Sequence, residues 1–295
     1  MMYYRRKILL SLLQTFEGRL EKIRLQKLLF LFCQKPDKPE FHFVPYKYGC
    51  YSFQANADLS TLTKMGLLTD NGKEWMRVDS FDYFHQLKES DKKRLKAFKI
   101  LYETKTSDDL IYITYKKFPF FAINSLIAET RLTREEYFKI CSVRPKSNTT
   151  LLYTIGYEGV TLEEYLNKLI LNDVKMLCDV RRNPLSMKYG FSKSQLKAAC
   201  EGIGIAYLHL PEVGIASDLR QNLETQKDYD ALFVRYQQEC LVNTKSTQVQ
   251  IFNLLKEHQR VALTCFEADI CQCHRKPLAE SIAELDGFDF QVKHL

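Results

Sequence analysis

The second half of the chain predicts a mostly parallel α/β sheet, and the first half a mainly helical unit of winged-helix type. Three observations lead there. From Leu151 onward, the apolar runs LLYTIGY, KMLCDVRR, IAYLHL, RVALTCFE and FQVKHL alternate with amphipathic stretches. Runs apolar on both faces suit parallel strands covered by helices on each side. Before Arg144 most apolar residues recur at helical spacing instead. Charge divides with the pattern: residues 1–147 hold 27 Lys+Arg and 17 Asp+Glu, whereas residues 148–295 hold 16 and 19. The polar segment RPKSNTT, with Pro145, separates the two regimes, so domains are expected at 1–147 and 148–295.

In the first half, KILLSLLQTFEGRL places Ile8, Leu9, Leu12, Leu13 and Phe16 on one helical face. EKIRLQKLLFLFCQ repeats the pattern, and Pro36 and Pro39 are expected to end it. FQANADLSTLTKMG reads as a third helix with Leu59, Leu62 and Met65 inward and Gly66 just past its end. LLTDNGKEWMRV reads as a hairpin, with Asn71-Gly72 as a type I′ turn. Helices return over 90–141, one of them capped by Ser107. Phe118, Phe120 and Phe121 around Pro119 read as a packing lid before a base-stacking platform. Helices followed by a two-stranded wing suit a winged helix-turn-helix. Arg24, Lys27, Lys47, Lys64, Lys73 and Arg77 would then face phosphates. The plainer alternative is a helical adaptor whose lysines keep it soluble.

Composition narrows the class. The chain has 295 residues, 45% hydrophobic and 27% charged, and its longest apolar run, LQKLLFLFC, carries a lysine. No membrane span is expected from it. Met1 to Lys7 is charged and lacks a signal-peptide pattern, so the expectation is cytoplasmic. Nine cysteines, an odd number scattered through both halves, suit reduced thiols better than a disulfide framework.

In a parallel sheet, ligands bind beyond the carboxyl ends of the strands. That rule selects Gly156 and Tyr157 after the first strand of this half, and Asp179, Arg181 and Ser186 after the second. Glu267, Cys273, His274 and Arg275 follow the last long apolar strand. Arg181 suits a phosphate or carboxylate clamp, with an internal ion pair to Asp179 as the bland alternative. CFEADICQCHRK allows three readings. As a zinc knuckle, Cys271-x-Cys273-His274 with Cys265 upstream offers soft ligands but lacks a second ligand pair, and His294 could complete it only by tertiary proximity. No metal and no cofactor are therefore expected. As a nucleophile, Cys273 would gain from a helix N-terminus and Arg275, but no cysteine stands at the phosphatase distance from an arginine. As an anion-holding turn, His274 and Arg275 would open a helix with Pro277 in its first turn, and Glu267 would supply a carboxylate. The third reading is preferred.

The motifs TIGYEG, DVRRNPLS, the phenylalanine of GFSKSQL, HLPEVG, CFE, CHRKPLA and the terminal VKHL resemble the DUF488 family in order and spacing, over Leu151 to Leu295. The resemblance marks Gly156, Asp179, Arg181, Pro184, Ser186, Glu267, Cys273, His274 and Arg275 as signature positions. Tyr157-Glu158, Val213-Gly214 and Leu295 depart from the family's usual letters. The family implies fold and site without a settled chemistry. RLQKLLFLF, FVPYKYGCYSF and DLSTLTKMGLL are similar to winged-helix-like domains of phage-defence and antitoxin-type proteins, which implies a targeting or regulatory module.

Together these readings lead to an enzyme acting on nucleic acid or a nucleotide, by hydrolysis of a modified base or a phosphodiester, in a phage-defence setting. Asp179, Glu267 and Cys273 are its candidate catalytic groups. Gly156, Tyr157, Arg181, Ser186, His274 and Arg275 are its candidate anion site, with DNA or RNA and a small anionic ligand as partners. Two alternatives stay open: a winged-helix DNA-binding regulator whose α/β half senses an anion, and a redox or sulfur-handling protein using Cys273.

Overall fold

A computed structural model of the chain describes residues 2–34, 38–216, 219 and 223–295. The chain divides into two compact units, Met1–Arg144 and Pro145–Leu295. The architecture is mixed α/β, with a mostly helical N-terminal region and a parallel sheet in the C-terminal one. Among the described residues, no helix is long and apolar enough to cross a membrane.

The N-terminal unit runs α1 (Tyr4–Thr15), β1 (Arg19–Glu21), α2 (Lys22–Phe32), β2 (Val44–Tyr46), β3 (Gly49–Tyr51), α3 (Phe53–Lys64), β4 (Leu68–Asp70) and β5 (Glu74–Arg77). It continues with α4 (Glu89–Tyr102), α5 (Ser107–Lys117), α6 (Ala128–Arg131) and α7 (Arg134–Val143). β1, β5 and β4 form an antiparallel sheet in that order, and β2 pairs with β3. The core joins Leu9, Leu12 and Leu13 of α1 to Leu25, Leu28 and Leu29 of α2, to Leu59 and Leu62 of α3, and to Trp75. Phe118 and Phe121 meet Phe30 edge-on, with ring centroids 5.1 and 4.7 Å apart, so these two aromatics do pack onto the core.

Several local expectations shift. Pro36 lies outside the described residues. Met65 is exposed, because the helix ends there and Gly66 takes φ +73 to turn the chain. The β4–β5 hairpin forms, but Gly72 takes positive φ and Asn71 does not, so the turn is not type I′. The Asn71 side chain instead accepts from the backbone N–H groups of Lys73 and Glu74. The cap of α5 is Thr106, one residue before Ser107, in a reciprocal capping box with Asp109.

The C-terminal unit runs β6 (Leu151–Gly156), α8 (Leu162–Leu171), β7 (Met176–Asp179), α9 (Lys193–Gly202), β8 (Ala206–His209) and α10 (Gln226–Tyr236). It ends with α11 (Lys245–His258), β9 (Arg260–Cys265), α12 (Arg275–Ala283) and β10 (Gln291–His294). The five strands are parallel, in the order β10-β6-β9-β7-β8. Val261 and Leu263 of β9 pack with Ile251 and Leu255 of α11 and Leu278 and Ile282 of α12. Strand side chains alternate between faces, so Ala262 and Thr264 point the other way. There Thr264 accepts from Tyr165 of α8 at 2.7 Å. Helices on both faces explain why the strands read as unbroken apolar runs.

Candidate functional site at the carboxyl ends of the sheet

Asp179 ends β7 and is fully buried. Its carboxylate accepts from four donors: Arg181 Nε at 2.8 Å, Arg181 Nη2 at 2.5 Å, the Arg181 backbone N–H at 3.2 Å and the Tyr207 hydroxyl at 2.6 Å. The remaining Arg181 nitrogen, Nη1, donates at 2.8 Å to both the Tyr157 hydroxyl and the Phe191 carbonyl. Burial opposes the Arg181 charge, but the Asp179 carboxylate and the Tyr157 hydroxyl outweigh it and raise its pKa. Burial and then Asp179 likewise raise the Tyr207 pKa. The expected clamp and acid are therefore committed to each other. A carboxylate filled by four donors and a guanidinium bonded at all three nitrogens anchor the loop, which is the bland alternative raised by the sequence.

Tyr157 lies parallel to Phe191, with centroids 4.3 Å apart, and is buried. Gly156 admits the β9–α12 loop: a Cβ there would stand 1.9 Å from the Glu267 carbonyl oxygen. Ser186 is half-buried, and its hydroxyl accepts from the Lys188 N–H at 3.1 Å.

The second wall follows β9. Cys265 and Cys273 are buried, as are His274 and Arg275, while Cys271 is exposed. Arg275 Nε donates to Cys273 Sγ at 3.0 Å, and its Nη2 donates to the Glu267 carbonyl at 2.5 Å. The Cys273 thiol donates to Glu267 Oε2 at 3.0 Å. His274 Nε2 faces the Val180 carbonyl at 3.0 Å, so Nε2 carries the proton and the Nδ1 lone pair points at the thiols. This bond ties the second wall to the loop between Asp179 and Arg181. Burial pushes the Cys273 thiol well above its ordinary pKa, and neighbouring Cys265 adds to the rise against the lowering by Arg275. The low-pKa nucleophile predicted by the redox reading is not what this environment makes.

Between the walls lies a cleft of about 330 Å³ lined by Tyr157, Arg181, Arg182, Ser186, Cys265 and Phe266, among others. Leu185, Met187 and Phe266 are exposed around it. Arg182 is exposed, with one bond from Nη1 to the Pro211 carbonyl at 3.3 Å. Tyr207 and His209 of β8, on one face of their strand, were missed by the sequence reading. His209 Nε2 meets the Arg181 carbonyl at 2.9 Å, and its Nδ1 meets Lys193 Nζ at 3.0 Å. Their alternation in IAYLHL was the available signal.

The six basic residues expected to face phosphates separate. Lys47, Lys64 and Lys73 are exposed. Arg24 is half-buried and donates to the Glu103 carbonyl at 2.8 Å. Arg77 bonds Asp79 and the Phe81 carbonyl, both at 2.6 Å. Lys27 is buried, donates to the Tyr48 carbonyl at 2.5 Å, and has its pKa lowered by burial. The helical stripe placed Lys27 outward, but the β2–β3 hairpin folds over it. Lys27→Ala is expected to cost about 2–4 kcal/mol, from lost packing and an unpaired carbonyl. Urea unfolding followed by Trp75 fluorescence measures it, and a change under about 0.5 kcal/mol would contradict the burial argument.

Residues 161–282 match the family model described as Domain of unknown function DUF488. The C-terminal half is thus similar to that family over these residues, and the match takes in Asp179, Arg181, Ser186, Glu267, Cys273, His274 and Arg275. No curated protein and no solved structure matches the chain.

Proposed function

We propose, from the premise of a C-terminal half similar to the DUF488 family, that the protein is an enzyme acting on nucleic acid or a nucleotide. The observation that carries this is the cleft at the carboxyl ends of β6, β9 and β7. It combines an exposed guanidinium, Arg182, with the apolar side chains Leu185, Met187 and Phe266. A phosphate with a flat base attached needs that pair of features. Asp179 is filled by its donors, so Glu267, which accepts from the Cys273 thiol, is the candidate carboxylate for chemistry on a modified base or a phosphodiester. Exposed Lys47, Lys64 and Lys73 on the N-terminal unit suit a polyanion.

The test is binding and turnover with nucleoside phosphates and with plain and modified DNA and RNA. Arg182→Ala is expected to weaken nucleotide binding about 10–100-fold, the worth of one charged hydrogen-bonded contact. Absence of both binding and turnover across these substrates would sink the reading. Equal turnover by wild type and Glu267→Gln would remove that carboxylate from the chemistry. Salt-dependent duplex binding without turnover would favour a DNA-binding regulator of phage-defence type. The order α3, β4, β5, with β4 and β5 paired as a hairpin, is what a helix followed by a wing would need and supports that second reading.

A further inference from the structure

Among the described residues, three soft ligand atoms converge on one point of the C-terminal unit. Cys265 Sγ, Cys273 Sγ and His274 Nδ1 all lie within 4.8 Å of one another, and all three residues are buried. His274 Nδ1 is 3.7 Å from Cys265 Sγ and 4.0 Å from Cys273 Sγ. A tetrahedral zinc ion, with bonds of about 2.3 Å to sulfur and about 2.0–2.1 Å to nitrogen, separates such atoms by about 3.6 Å. The two nitrogen–sulfur distances are therefore within about half an ångström of those in a formed site, and the sulfur pair, within 4.8 Å, needs at most about 1 Å of contraction.

Two further features point the same way. The Val180 carbonyl fixes the proton of His274 on Nε2 and aims the Nδ1 lone pair inward, which is the outer support that metal-bound histidines use. Glu267 Oε2 lies 3.0 Å from Cys273 Sγ, within reach of a fourth ligand position. We infer that Cys265, Cys273 and His274, with the Glu267 carboxylate, form a binding site for a zinc-class divalent ion. This site shares Glu267 with the nucleotide reading but is argued from ligand geometry alone.

The local charge supports it. When a divalent ion enters, each thiol loses its proton to solvent, and two thiolate charges offset the ion. The net charge of the buried cluster is unchanged, so no uncompensated ion is left in a desolvated site. The Arg275 Nε–H bond to Cys273 Sγ, at 3.0 Å, would favour the thiolate. The sequence offered Cys265, Cys271, Cys273 and His274 together as soft ligands; the fold leaves Cys271 exposed and sets Cys265, on the strand, beside Cys273 and His274.

The experiment loads the reduced, full-length protein with zinc, removes excess metal, and measures zinc by mass spectrometry. Cobalt(II) is then titrated while thiolate-to-metal absorption is followed. The inference expects about one ion per chain and a charge-transfer band from two thiolates. Cys265→Ser and Cys273→Ser should each lower metal affinity at least about tenfold, while Cys271→Ser keeps it. Circular dichroism of each variant separates loss of fold from loss of ligand. Less than about 0.1 ion per folded wild-type chain, or a cobalt spectrum without the thiolate band, overturns the inference. So does a Cys271→Ser loss equal to that of Cys265→Ser. Because metal content is read without any nucleotide, failure of the cleft reading and failure of the metal site are separately visible.

Discussion

Asp179→Ala is expected to destabilise the C-terminal unit by about 3–5 kcal/mol, the cost of leaving one partner of a buried ion pair alone. Arg181 is 5% exposed, and it would keep its charge after losing its two carboxylate bonds. Tyr207 would lose its acceptor in the same step. The pair bonds Tyr157 and Phe191 as well, so the loop carrying Arg182 should loosen with it. Removing both charges, as in Asp179→Leu with Arg181→Met, should recover most of the loss, because no unpaired ion is left. Denaturant unfolding followed by circular dichroism measures these effects. Trp75, the single tryptophan, belongs to the N-terminal unit and serves as an internal control. A single substitution as stable as wild type would refute the anchoring role. Asp179→Asn with full stability and no turnover would return Asp179 to the chemistry.

Gly156→Ala should have a comparable effect by a steric route. Its Cβ would stand 1.9 Å from the Glu267 carbonyl oxygen and 2.8 Å from the carbonyl carbon, so backbone must move. That carbonyl accepts from Arg275 Nη2 at 2.5 Å, and displacing it disturbs the wall holding Cys273 and His274. A loss of about 2–4 kcal/mol is expected, together with weakened ligand binding in the cleft. Gly159→Ala is the comparison. It has φ +74 but meets nothing within 4 Å, so it should cost about 1–2 kcal/mol, from backbone strain alone. Thermal melts of the two variants decide the matter, and equal losses would refute the close-approach argument.

Much of the fold was legible in the sequence because its signals are local or periodic. Continuous apolar runs such as RVALTC marked strands buried on both faces, and helical spacing marked α1 and α2. Other features were not legible, because they depend on which segment covers which. The stripe of α2 gave no sign that the β2–β3 hairpin would enclose Lys27. A positive φ at Gly72 was foreseeable, but the side chain of Asn71 satisfied the turn in another way.

For the site, sequence alone determined the rim. Strand order within each βα unit sends Gly156, Asp179 and Cys265 to the carboxyl ends, and the segments around Asp179 and Cys265 lie within the residues that match the family model. Tertiary structure decided the partners. It turned Asp179 and Arg181 toward each other, left Arg182 exposed, and set Cys265 beside Cys273 and His274. The physical reason is that a charge or a thiol takes its character from neighbours within a few ångströms. Those neighbours come from segments far apart in the chain, as with Val180 after β7 and His274 before α12. Periodicity fixes which end of the sheet a residue reaches, but packing fixes what it meets there.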